Sequence, residues 1–238
     1  ELSPELEIPF EKILKVGNAY RELKEFERGV DVFLATLEAG FATESFVGAA
    51  LEDQGRFLDA LDYQKKLWMD FPDYGEIANS YFALAQQVYA KASDAKSLTP
   101  GKGKKEAPTS RELYDLSVKM LEQFRLTHPS HPLADDGAFT IANALFTLKA
   151  YDEMAGHAKA SRKAYPGSDF AEAFQYLSAL GNFWLRKYDA AFAAAKVVAE
   201  GNGKDKNLAA YICAQILHAQ GKTVDSLKWY EKVKNEYP

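Results

Sequence analysis

A chain of 238 residues with 47% apolar and 26% charged side chains has the composition of a folded globular protein rather than a disordered one. Its net charge of −5, with the basic residues scattered, argues against the concentrated basic face that nucleic acid or an anionic membrane surface requires. No run approaches the roughly 18 apolar residues of a spanning helix, since even the Ala-rich stretch from Tyr188 to Ala199 holds Asp189 and Lys196, so direct membrane insertion is not expected.

The chain begins at Glu1 without Met, as expected of a mature or excised piece of a longer polypeptide. From there a helical pattern recurs. Its copies read LKVGNAYRELKEFERG from Leu14, FVGAALEDQGRFLDA from Phe46, ANALFTLKAYDEM from Ala142, SALGNFWLRKYDAA from Ser178 and CAQILHAQGKTVDS from Cys213. Each first helix has a small residue at its middle, here called the anchor: Gly17, Gly48, Ala85, Ala142, Ala179 and Ala214. Nine residues later, past a turn, stand Phe26, Phe57, Tyr151, Tyr188 and Thr223, with Tyr114 in the same role after an insertion. Three further on come Gly29, Ala60, Ser117, Met154, Ala191 and Ser226. Units close on Pro72, Pro129, Pro166 and Pro238, with Phe41 and Gly203 where two others end.

The spacing has a physical reason. Antiparallel helices approach to about 8 Å only where a side chain at their crossing is tiny. Residues one before and three after the anchor, such as Val16 with Tyr20, Val47 with Leu51, Leu84 with Val88 and Ile141 with Leu145, share one helical face and are expected in the core. The closing Pro disfavours helix in the residue before it and ends the second helix. Gly48→Leu or Ala142→Leu should therefore overpack a crossing, at a cost of about 1–3 kcal/mol.

Anchor spacings of 31, 37, 57, 37 and 35 place an insertion at Ser93 to Thr109. Its Pro100, Pro108, Gly101 and Gly103, with Lys96, Lys102, Lys104 and Lys105, predict a mobile surface loop. It serves either as a basic docking arm or as a tolerated solvated insertion. Thr109 with Glu112, or Ser110 alone, offers a cap for the helix that resumes.

No phosphate loop, nucleophile elbow, zinc-protease signature or paired-Cys metal motif occurs, so no catalytic residue, metal ligand or cofactor is assigned. His128 and His131 in HPSHP lie in a turn with no third ligand near in sequence. Asp135 and Asp136 open a helix, where carboxylates complement the dipole. Cys213 is alone, which excludes an internal disulfide.

The small anchor, the aromatic after the turn, the second small residue and the terminal Pro together resemble the tetratricopeptide repeat (TPR) family over residues 10 to 238. The resemblance implies a single all-α domain, a right-handed α-solenoid of about six antiparallel helix pairs. Repeats would span 10–40, 41–77, 78–134 with the insertion 93–109, 135–171, 172–206 and 207–238. The spacing is less regular than the family's period of about 34. The fifth unit matches least well, because Ser178 and Asn182 fall where apolar core residues are expected.

In this family the first helices line a concave surface, which implies a non-catalytic scaffold that holds a protein or peptide. The face opposite the core lies six and three residues before the anchor and one, four and five after it. It carries Phe82, Gln86, Tyr89, Phe139, Asn143, Phe146, Tyr176, Phe183, Tyr211 and Gln215. Aromatics give contact area at small entropic cost, and side-chain amides pair with a peptide backbone. The alternative is that these side chains pack between successive repeats. On the first reading Asn143→Ala and Tyr176→Ala weaken partner binding and leave thermal unfolding nearly unchanged. The family's carboxylate-clamp version needs several basic residues on this face, and among the positions considered only Arg21 is basic.

The junctions HPSHPLADDGAFTIANALF and YPGSDFAEAFQYLSALGNFW are similar to linkers of bacterial envelope proteins of this class, including the lipoprotein type of the outer-membrane β-barrel assembly machine. That similarity implies an extracytoplasmic setting, in the periplasm or envelope, with a cytoplasmic one left open. Two other roles stay open: a regulatory or substrate-recruiting module of a larger enzyme, and a spacer that self-associates through an uncapped C-terminal end.

Overall fold

The computed structural model describes residues 10–70 and 77–236. Among them are eleven α-helices, one 3-10 turn and no strand. The helices are α1 (Phe10–Glu22), α2 (Phe26–Asp53), α3 (Phe57–Asp70), α4 (Ile77–Ala92), α5 (Ser110–Thr127), α6 (Ala134–Thr147), α7 (Tyr151–Ala164), α8 (Ala171–Trp184), α9 (Tyr188–Ala199), α10 (Lys206–Ala219) and α11 (Thr223–Glu236). The chain divides into two compact units, Glu1–Ser80 with Lys96–Ala107, and Tyr81–Ala95 with Pro108–Pro238.

Helix starts follow the expected register. Phe26, Phe57, Tyr151, Tyr188 and Thr223 are each the first residue of a helix. In the insertion-bearing repeat the helix starts at Ser110, a turn before Tyr114, because Thr109 caps it. Glu112 N–H donates to Thr109 Oγ1 at 3.2 Å and Thr109 N–H donates to Glu112 Oε2 at 2.7 Å, which closes a capping box. α5 and α7 end at Thr127 and Ala164, two residues before Pro129 and Pro166. Pro72 and Pro238 lie outside the described residues.

The turns share one further device. Seven residues after the anchor stand Lys24, Gly55, Lys149, Arg186 and Gly221, all with φ between 59° and 75°. In each turn the next N–H reaches back to the carbonyl five residues earlier, as from Glu25 to Tyr20 and from Lys187 to Asn182, both at 2.9 Å. These are Schellman motifs, which satisfy the carbonyls left over at the helix end.

The second small residue sits over the anchor. In the first unit a Cβ on Gly29 would lie 3.4 Å from the Gly17 carbonyl oxygen, and one on Gly17 would lie 2.5 Å from the Phe33 ring. In the second unit Ser117 Oγ donates to the Ala85 carbonyl at 3.0 Å and Ser226 Oγ to that of Ala214 at 2.8 Å. Ala142, Met154, Ala179 and Ala191 are completely buried. The crossings are thus close-packed around small residues, with Met154 as the one large residue at the second position.

Two expectations are corrected. Val16 and Val47 are 47% and 41% exposed, whereas Leu84, Ile141 and Cys213, at the same register position, are buried. For Val47 the reason is α2, which runs unbroken across positions 40 and 41. Neither a Pro nor a Gly-rich break like Gly201 to Gly203 after α9 interrupts it, so its first half does not fold back over Phe46 and Val47 as α9 does over Ile212 and Cys213. For Val16, no described helix precedes α1.

The insertion is also held more firmly than its composition predicts. Lys102 N–H donates to Asp59 Oδ1 of α3 at 2.6 Å, and Arg56 bridges the same carboxylate at 2.7 Å. Gly101 is buried, where a Cβ would lie 3.3 Å from Leu58 Cβ. The Lys102 N–H, followed by Arg56, holds the Asp59 carboxyl below its ordinary range.

Candidate interaction face

The ten residues of the expected face all belong to first helices of the second unit, and the structure gives them different environments. Phe82 is core: it is 9% exposed, with its ring 5.2 Å from that of Phe124 on α5, because α5 and α6 close over this side of α4. The Gln86 amide is spent between repeats, donating to Thr140 Oγ1 at 2.8 Å. Tyr89 meets Tyr114 edge-on at 5.4 Å, and burial pushes its phenol upward. Phe139 stacks on Phe170 at 4.5 Å. These four side chains pack against neighbouring elements.

Others stay accessible. Phe146 and Tyr211 are 37% and 44% exposed. Asn143 is half-buried and donates from Nδ2 to the Phe139 carbonyl at 3.0 Å, and among the described residues its Oδ1 has no donor. Tyr176 and Phe183 are half-buried and rest on the cluster of Ala195, Val198, Ile212 and Cys213. Burial first, then Asp205, raises the Tyr176 phenol. Gln215 is half-buried on α10.

The most exposed aromatic of this region was not singled out from the sequence. Trp184, five residues after its anchor, is 51% exposed and lies flat against Tyr151 at 5.4 Å and 12°. Phe146 touches Tyr151 at 6.2 Å, and Phe183 adjoins both Trp184 at 5.8 Å and Tyr188 at 6.3 Å. Five rings thus run continuously across the fourth and fifth repeats. The equivalent positions hold Glu22, Asp53, Ala90, Thr147 and Ala219, so no recurrence marked Trp184. Lys187 pairs with Asp152 at 3.0 Å and Gln220 donates to Asp189 at 3.0 Å, tying successive turns beside the rings.

Titratable groups nearby serve packing. His157 on α7 donates from Nε2 to the Ala138 carbonyl at 2.9 Å, and burial lowers its pKa to about 4. Burial pushes the Cys213 thiol up to about 12, far from a reactive thiolate. His128 and His131 flank the Phe124 ring at 5.5 and 5.1 Å. Asp136 is raised by burial and by Asp135.

No protein-family model matches the chain, and no curated protein matches it. Solved structures do. A kinesin light chain-like protein of Podosopora anserina with nearly identical TPR-like repeats aligns over 81% of this chain and 92% of its own, at a TM-score of 0.51 and 12% identity. BtubC (BKLC) from P. vanneervenii aligns over 96% of this chain and 91% of its own, also at 0.51 and 12%. The fold is that of TPR-like repeat proteins. The helix pairs are therefore TPR-like repeats of the α-solenoid class, and the anchor and the small residue twelve positions on mark their crossings.

Proposed function

We propose that this TPR-like chain is a non-catalytic scaffold that holds a peptide or a partner helix on the first-helix face of its fourth to sixth repeats. The observation that carries the reading is the unbroken aromatic run Phe146, Tyr151, Trp184, Phe183 and Tyr188, with Trp184 half exposed. Contiguous aromatics with two exposed members, Phe146 and Trp184, favour contact with another protein, since Trp and Tyr dominate binding energy at interfaces. The Oδ1 acceptor of Asn143 on the same face suits a backbone N–H. The two junction sequences support a bacterial extracytoplasmic setting, which fractionation of the native host would test.

Phe146 and Trp184 are better probes than Tyr176, whose truncation would also remove cover from the α9–α10 cluster. A pull-down from native extract with the wild type and a Phe146→Ala/Trp184→Ala variant is the test. The expected outcome is loss of the partner with little change in melting temperature. Retention of every captured protein by the double variant would overturn the assignment of this face.

A further inference from the structure

Away from the aromatic run, α7 and α8 border a cleft of about 420 Å³ lined by Lys159, Arg162, Lys163, Pro166, Gln175 and Ser178. The three cations share one side of α7, three and four residues apart, and all are exposed. None forms an ion pair with another described residue. Arg162 Nη1 donates to Gln175 Oε1 at 2.7 Å, and Gln175 Nε2 donates to the Ala194 carbonyl at 3.2 Å, so a chain of amides holds the guanidinium at the cleft wall. Ser178 is 9% exposed as a residue and its side chain lines the cleft. Glu172, the acid in the first turn of α8, is committed elsewhere, accepting from the Asp205 N–H at 3.2 Å.

The next repeat shows the same positions neutralised. Lys196 and Glu200, at and just past the end of α9, occupy the repeat positions of Lys159 and Lys163, and they pair at 3.6 Å. In the fourth repeat a cation replaces the counterion. A helix C-terminus attracts cations in both repeats, so the dipole does not account for the difference.

We propose that this cleft receives an acidic segment of a partner protein, whose carboxylates take the place that Glu200 fills one repeat later. The Arg162 fork matches a carboxylate in two hydrogen bonds, the lysines add charge, and the Ser178 hydroxyl on the cleft wall can donate. Pro166 lines the cleft with apolar surface for the stems of Glu side chains. The site is separate from the aromatic face: Ser178 lies about half a helical turn from Tyr176 on α8.

The test is fluorescence anisotropy of a labelled oligoglutamate peptide against the whole chain at low salt, with oligolysine as control. The wild type is expected to bind oligoglutamate and not oligolysine, with affinity falling steeply as salt rises. Lys163→Glu, which recreates the Lys196–Glu200 arrangement, is expected to weaken binding roughly tenfold or more, while Phe146→Ala/Trp184→Ala leaves it unchanged. Lys163 is exposed, so an unchanged melting temperature confirms that the variant is folded. Undiminished binding by Lys163→Glu, or no binding by the wild type, overturns the proposal. So does full displacement of the peptide by inorganic phosphate at equal concentration, which would mark a site for a lone anion.

Discussion

Arg186 adopts φ 59° at a turn where the equivalent residues of two other repeats are Gly55 and Gly221. A side chain with a Cβ is strained in this region and glycine is not, so Arg186→Gly should raise stability by about 0.5–1 kcal/mol, read as a shift in urea midpoint. No change would mean that the Arg186 side chain contributes as much as its backbone costs. His157 makes a pH-dependent contribution of definite sign. Its folded-state pKa of about 4 lies below the ordinary 6.5, so the folded chain resists a proton that the unfolded chain takes up. The stability is whole above pH 6.5 and is lost as pH falls from there towards 4, amounting to about 2 kcal/mol by pH 5. Urea unfolding at pH 7 and pH 5 measures it, and His157→Gln should flatten that part of the dependence. The small residues and capping pair were legible at this scale because local sterics dictate them. Neither the left-handed lysines and arginine nor the burial of His157 could be read, since nothing in their residue type requires it.

Among elements, the helix starts were readable and one helix end was not. Phe26, Phe57, Tyr151 and Tyr188 begin helices where the spacing put them, but α2 continues past Gly40 and Phe41 because neither a proline nor a Gly-rich break like Gly201 to Gly203 stops it. The insertion likewise defied its composition. A Gly- and Lys-rich segment reads as free chain, and only the fold brings Asp59 to the Lys102 N–H at 2.6 Å. Asp59→Ala should release it, so that trypsin cuts after Lys102, Lys104 or Lys105 several-fold faster while global unfolding is little affected. Unchanged cleavage would show that Gly101 and its contact with Leu58 suffice to hold the segment.

For the molecule as a whole, local stability should follow burial. Around α8, α9 and α10, completely buried Ala179, Ala195, Cys213 and Ile216 form one cluster. On α2, by contrast, Val30, Leu34 and Phe46 are 54%, 52% and 73% exposed. Amide hydrogen exchange should therefore be slowest in the cluster helices and orders of magnitude faster in α1 and α2. Equal protection in both regions would mean that the exposed face of α2 is covered in solution.

The repeat, its register and the all-α class follow from the residues alone, because close helix crossings favour small side chains and those recur at fixed distances from a turn. The sequence also placed aromatics on the outer positions of the first helices. Which of them meet solvent was decided only by tertiary structure. Phe82 and Phe146, three before and four after their anchors, lie on the same face of equivalent helices about two turns apart, yet Phe82 is closed in by Phe124 while Phe146 stays open beside Tyr151 and Trp184. Hydrophobicity is the same in both, and the difference lies in what the adjoining helix places against the ring.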